Sequence, residues 1–431
     1  MSEQEPQIIA AFKAWLIQNG ARIHPDVLFE PGNDVPADTT VVSIPFSLAI
    51  TPALSKAALE SLFERAGATA PGLRELSERQ LVCTYLSMHW IAEPSSSQGA
   101  LQHGPYINML PSPEKLRTPL HFSPAELEAF RGSNLFGATL DRRRDWEAEW
   151  EQCKTIVNAA NPSWGTAFTW ERYLTASTYL SSRAFPSTVL SEAPTLVTTS
   201  SSYPVLLPGI DALNHARGHP VSWLVSSGNA SSTPSAESTI SLVIHAATPR
   251  GAQLLNNYGP KPNSELILGY GFSLPNNPDD TIVLKIGGPS AASASSSQGA
   301  GASSPGKWEV GRGARGAEPV WDAVLAAVRA QGGDEDDEEE EGDAIEDELC
   351  AADMLAEMAQ SLYDRLPPFP PANEAGMRPE VVQMLGHYLE GQRDILQSLV
   401  TFARDKEAHA LQRAREEGLD IVDEEDEEPE D

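Results

Sequence analysis

Cysteine is scarce in this chain of 431 residues: Cys83, Cys153 and Cys350 stand far apart, with no Cys-x-x-Cys pair. That excludes a disulfide framework and a cysteine-built zinc site, and no other metal-ligand set is read either; it fits a reducing compartment, the cytoplasm or the nucleus. Long apolar runs are also missing. Nowhere do eighteen consecutive apolar residues stand, so no membrane-spanning helix is expected. The opening Met1-Ser2-Glu3-Gln4-Glu5-Pro6 is acidic and leads into an amphipathic stretch, which is not the pattern of a secretory signal. Positive charge is the third shortage. Lys and Arg number 30 against 61 Asp and Glu, a net of −31, so direct binding of nucleic acid is not expected.

The acids are unevenly placed. Asp334 to Glu348 holds twelve and Asp420 to Asp431 nine more, leaving about −10 for the remainder. Such runs are solvated segments in the simplest reading, or an electrostatic lure for a basic protein partner. An apolar content of 41% over this length supports two or three domains with a sizeable core.

Ile8, Ile9, Phe12, Trp15 and Leu16 recur at helical spacing before the stop Asn19-Gly20, and Asp38 to Pro45 reads as a β-branched strand. Thr51-Pro52-Ala53 is a helix start. From about Leu54 to Phe185 the spacing is helical, broken at Pro94–Gly104 and Pro111–Pro119; one helix carries Trp170, Tyr173, Leu174, Ser177 and Leu180 as a core stripe. Short strands follow at 203–207, 222–225, 240–245, 253–256 and 282–286. The Ser-rich 226–238 reads as a surface hairpin extension. Pro289 to Gly316, rich in Ser, Ala and Gly, reads as a flexible linker, and Gly311-Arg312-Gly313 as low-complexity sequence within it. Beyond it, Trp321–Leu325, Leu349–Leu366 and Val381–Arg415 read as helices.

Two stretches carry the chemistry. One is Leu206-Leu207-Pro208-Gly209-Ile210-Asp211-Ala212-Leu213-Asn214-His215. The other runs from Asn257-Tyr258-Gly259-Pro260-Lys261-Pro262-Asn263 through Gly269-Tyr270-Gly271-Phe272 to Asn277-Pro278-Asp279-Asp280. Together they resemble the closing half of a SET-domain methyltransferase. Lacking a cysteine-rich segment after the core, the chain is closer to the subclass of Rubisco large-subunit and ribosomal-protein lysine methyltransferases.

The resemblance implies an α+β fold in which a SET β core of short strands is interrupted by a long helical insert and followed by an all-helical C-terminal domain. The segments would be 1–53 (helix and first SET strands), 54–185 (insert), 186–288 (second part of the SET core), 289–318 (linker), 319–415 (helical substrate-recognition domain with an acidic loop at 334–348) and 416–431 (acidic tail). It implies a monomeric protein-lysine methyltransferase using S-adenosyl-L-methionine on a basic, non-histone protein such as a ribosomal protein or translation factor. Tyr258 would be the catalytic hydroxyl. Arg183, Asn214, His215 and Tyr258 would hold the cofactor, and Ser182, Asp211, Tyr270 and Phe272 the substrate.

Methyl transfer to lysine needs a neutral amine, whereas lysine in water titrates near ~10.4. Reaching neutrality at about pH 7.4 takes a shift of roughly 3 units, about 4 kcal/mol, which desolvation and a nearby positive sulfonium supply. A buried tyrosine hydroxyl in an apolar channel suits that task. A guanidinium such as Arg183 suits a carboxylate.

One departure from the pattern stands out. The Gly-x-Gly turn that usually opens the family is reduced to a single glycine in Phe29-Glu30-Pro31-Gly32-Asn33-Asp34-Val35-Pro36. That keeps open a SET-like binding module without catalysis, and because a related branch of the same architecture methylates histidine, methylation of a protein histidine stays open as well.

Overall fold

A computed structural model describes residues 5–25, 33–68, 71–93, 99–227, 237–286, 307–332 and 341–419. Phe29 to Gly32, the tip of the extension after Ser226, most of the proposed linker and residues 420–431 of the acidic tail lie outside the described residues. The chain forms two compact units: Met1–His121 with Leu140–Pro260 and Gly269–Gly271, and Phe122–Thr139 with Lys261–Leu268 and Phe272–Asp431.

In the first unit the opening helix is Glu5–Gln18; Phe12 and Leu16, one turn apart, are fully buried. It stops at Gly20, whose φ of +85° suits a residue without a side chain. Strands β1 (Arg22–Ile23) and β2 (Thr39–Pro45) come next; β3 (Phe185–Pro186), β4 (Pro204–Val205), β5 (Asn214–His215), β6 (Val221–Ser226), β7 (Thr239–Ile244) and β8 (Leu255–Asn256) follow the helices. The main sheet has the order β1-β2-β7-β6, antiparallel throughout. A register shift between Thr40 and Val42 breaks the two-residue alternation, and Val41 and Val42 are both buried.

Helix Pro52–Arg65 begins where Thr51-Pro52 places it, with the Leu54 N–H donating to Thr51 Oγ1 at 3.1 Å. Helix Glu78–Met88 carries a capping box of Ser77 and Gln80. Helix Trp170–Arg183 is buried on all sides from Tyr173 to Leu180, so its aromatic stripe is core. A short helix, Gly104–Met109, follows the proline-marked break.

The second unit holds β9 (Thr281–Lys285), antiparallel to β10 (Lys307–Gly311), and helices Glu318–Gly332, Glu341–Asp364 and Pro379–Glu417. Ile282, Leu284, Val310, Leu355, Ile395 and Leu399 belong to one core cluster; Phe130, Leu135, Ile267, Leu385 and Tyr388 belong to another. Glu126, 3% exposed at its side chain, binds Arg378 through Nε at 2.8 Å and Nη2 at 2.7 Å.

Two expectations are corrected here. Residues 307–316 are not linker: Lys307–Gly311 is a strand, and Arg312 beside it donates to Asn277 O at 2.8 Å and pairs with Asp280, Glu390 and Asp394. Trp308 and Val310 turn toward the core while Lys307 and Glu309 are exposed, so the alternation was present within a biased composition. Of the expected acidic loop 334–348, residues 334–340 lie outside the described residues, and the rest is not loop. From Glu341 it is helix, because Asp347 and Glu348 meet Arg329 and Arg413 at 3.5 and 2.6 Å. Among the described residues no helix is long and apolar enough to cross a membrane.

Candidate active site

The site is assembled within the first unit from the end of one helix, one tight turn and two paired strand fragments. Helix Trp170–Arg183 delivers Ser182 and Arg183 at its C-terminal end. The Ser182 hydroxyl donates to the Thr178 carbonyl one turn earlier at 2.7 Å, so it is engaged by its own helix. Arg183 Nη1 donates to the main-chain oxygen of Asp211 at 2.9 Å.

The turn before Asp211 needs its glycine. Gly209 has φ +93°, and a Cβ there would lie 3.3 Å from Leu16. The following 3-10 turn, Ile210–Ala212, buries Asp211 to 5% exposure. Its Oδ2 accepts a hydrogen bond from the Tyr106 hydroxyl, while Oδ1 is buried with no partner among the described residues. Burial pushes this carboxyl up to about 6, against the opposing pull of the Arg183 cation and the Tyr106 donor.

Strands β5 and β8 pair in parallel, Asn214 with Leu255 and His215 with Asn256, and Ala216 N–H extends the pairing to Asn256 O at 2.8 Å. This brings the two motifs of the sequence side by side. The Tyr258 N–H donates to His215 Nδ1 at 3.0 Å, so that ring nitrogen carries no proton. The Tyr258 hydroxyl donates to the Leu213 carbonyl at 2.8 Å. Burial pushes this hydroxyl up to about 12, although the Arg183 charge favours its ionisation. It is a neutral phenol at any physiological pH, and with its proton committed to Leu213 its oxygen is presented as an acceptor.

Three rings stack here. His215 and Tyr258 have centroids 5.0 Å apart, and Tyr258 and Tyr270 5.3 Å, both pairs 26° from parallel. Gly271, just after Tyr270, has φ +81°, and a Cβ there would come within 2.8 Å of the Arg117 backbone. Asn214 is exposed, whereas Asn256 is fully buried, with Oδ1 bonded to Asn257 N–H and Nδ2 unpartnered among the described residues.

Of the residues expected from the sequence, Ser182, Arg183, Asp211, Asn214, His215, Tyr258 and Tyr270 thus lie in the first unit, and Phe272 falls in the second, half-buried. Sequence reasoning missed Tyr106 and the Leu213 carbonyl. Tyr106 lies 105 positions from its partner in a stretch marked only by Gly104-Pro105, and a main-chain oxygen has no signature in a sequence.

No protein-family model matches this chain. The ribosomal lysine N-methyltransferase set10 of Schizosaccharomyces pombe is 31% identical over 285 residues, covering 63% of this chain and 46% of that protein. Ribosomal lysine N-methyltransferase 1 of Saccharomyces cerevisiae is 27% identical over 219 residues, 42% of this chain and 34% of that protein. The chain therefore spans less than half the length of these curated relatives. Among solved structures, the SET domain of LSMT bound to lysine and AdoHcy superposes with a TM-score of 0.70 at 18% identity, over 97% of this chain and 98% of that one. Rubisco LSMT bound to AdoMet gives 0.67 at 18% identity, with the same coverage. Small sheets, a helical interruption between β2 and β3 and a long C-terminal helical region are thus a fold shared with the SET domain of LSMT, and over part of its length the chain is similar in sequence to the two ribosomal lysine N-methyltransferases.

Proposed function

We propose that this chain transfers a methyl group from S-adenosylmethionine to a lysine of a ribosomal protein. The observation that carries the reading is the parallel pairing of β5 with β8, which sets Asn214-His215 beside Tyr258. The names of the two relatives support the substrate class, and the bound molecules named for the LSMT structures support the cofactor. The excess of acid on the chain is complementary to a basic target.

The residues present fit the cofactor. Asn214 offers an exposed amide, Asn256 Nδ2 is a buried donor with no partner among the described residues, and Arg183 brings a cation suited to a carboxylate. When bound, S-adenosylmethionine supplies a methyl group made electrophilic by a sulfonium. Arg183, Asn214 and His215 would hold it. The Tyr258 oxygen accepts an N–H of the substrate amine and orients its lone pair, while its own proton stays on Leu213 O. Asp211 offers a further acceptor and Tyr270 forms a wall. Ser182, its hydroxyl spent on Thr178, would act through its backbone. The protein would work as a monomer in the cytoplasm or nucleus.

Incubating the purified chain with methyl-labelled cofactor and cell extract separated into ribosomes and soluble protein tests the reading. Label on one ribosomal protein, lost when its target lysine becomes arginine, is expected. Label that survives that change and disappears with a histidine replacement would make it a histidine methyltransferase. No label in either fraction would sink it.

A further inference from the structure

Tyr106 has no part in the chemistry read from the two motifs, yet it is fully buried and its hydroxyl is spent on one atom, Asp211 Oδ2. Phe12 packs against its ring with centroids 6.1 Å apart, which fixes the ring from the side of the first helix. Arg183 fixes the same aspartate through its main-chain oxygen. Held at both points, and with the Gly209 and Asp211 main-chain N–H groups favouring its charged form, the carboxylate still has one oxygen with no hydrogen bond of its own among the described residues. That oxygen, Oδ1, is buried, and an unmet charged acceptor in that state is costly unless a donor arrives.

We propose that Tyr106 is a positioning residue: its hydrogen bond fixes the orientation of the Asp211 carboxylate and leaves Oδ1 as the acceptor for the substrate's lysine side chain. This rests on the methyltransferase reading above. Burial and the neighbouring Asp211 charge push the Tyr106 hydroxyl well above its usual range, so it remains a donor throughout the working pH range. The charged and titratable groups around Asp211 are Arg183, Tyr106 and Tyr258, with Tyr179 beside Tyr106. Only Arg183 is cationic. Without the tyrosine donor, the aspartate proton is held more tightly.

Tyr106→Phe in the full chain removes one oxygen and keeps the ring. Three measurements are compared with wild type: transfer to ribosomal protein across pH 5.5 to 9, cofactor affinity by calorimetry, and Tm as a function of pH. The KM for protein should rise about tenfold, the scale of one hydrogen bond to a charged group, and the acidic limb of kcat/KM should move upward from about pH 6. Cofactor affinity should stay within about twofold. Because the folded protein holds the Asp211 proton more tightly than the unfolded chain, stability falls as pH rises from about 4 toward 6. In Tyr106→Phe that fall should extend further, so the Tm gap to wild type widens between pH 5 and pH 8.

A variant with unchanged KM and acidic limb, beside an active wild type, overturns the role of Tyr106. Equal losses in kcat and cofactor affinity with a Tm gap flat in pH would mark it as packing only, and also overturn it. No transfer by wild type would sink the methyltransferase reading, and with it the substrate role of Oδ1. A widening Tm gap would then leave only the Tyr106–Asp211 bond.

Discussion

Tyr258 is bound to His215 twice over: its main-chain N–H donates to Nδ1 at 3.0 Å, and its ring lies against the imidazole at 5.0 Å. The first contact sets the histidine tautomer and the second sets the plane of the phenol. Removing the hydroxyl should therefore leave the aromatic stack standing.

Tyr258→Phe should lower methyl transfer by on the order of 100-fold, the usual scale for losing one preorganised polar group at a reacting centre. Cofactor affinity should change little. Single-turnover assays and calorimetry would separate the two, and unchanged turnover would remove Tyr258 from its assigned place.

S-adenosylmethionine at about 100 times its dissociation constant should stabilise the chain by about 2.7 kcal/mol. Asn214→Ala, at an exposed side chain with little packing to lose, should shrink that gain at fixed cofactor. A thermal-shift titration decides it. No shift for wild type at millimolar cofactor would favour a SET-like binding module, and an equal shift in both proteins would free Asn214 of its cofactor role.

Arg378→Ala should destabilise the second unit by roughly 3–5 kcal/mol at neutral pH, because Glu126 would keep its buried position without its guanidinium. Arg378 and the backbone donors around Glu126 hold that carboxyl at about 2, below the ordinary value of ~4.3. Its stabilisation is therefore present above about pH 4.3 and lost as pH falls toward 2. The variant should begin to unfold at a higher pH than wild type in an acid titration followed by circular dichroism.

Gly391→Ala sets two effects against each other. Alanine favours helix by up to about 1 kcal/mol, but its Cβ would lie 2.2 Å from Asp280 Oδ2, which also receives Arg312 and Asn263. Displacement should win, with a net loss of about 1–3 kcal/mol by urea unfolding. Gly137→Ala, in helix Asn134–Ala160 with nothing within 4 Å of the new Cβ, should instead be neutral or stabilising.

What could be read beforehand depended on the range over which each signal acts. Thr51-Pro52 marks a helix start because cap and first turn are neighbours in the chain, and Thr39 to Pro45 shows itself as a strand through β-branched residues. The nearness of Asn214-His215 to Tyr258 followed from a resemblance spread over both motifs. Strand β10 hid inside a Ser, Ala and Gly context because its existence depends on pairing with β9, and the helix at Glu341 depends on arginines elsewhere in the fold. The Tyr106–Asp211 contact joins two residues whose local sequences say nothing of each other. Local chemistry announces elements; the partners that finish a site are supplied by folding.

The two-residue union of β5 and β8 is too small to persist by itself. Between its halves in the chain lie β6 and β7, which pair with each other and, through β7, with β2 in the main sheet. During synthesis, then, a nascent polypeptide that has displayed Asn214 and His215 still lacks their Tyr258 neighbour until that residue has cleared the exit tunnel. An early-stalled product should be unable to sequester the methyl donor.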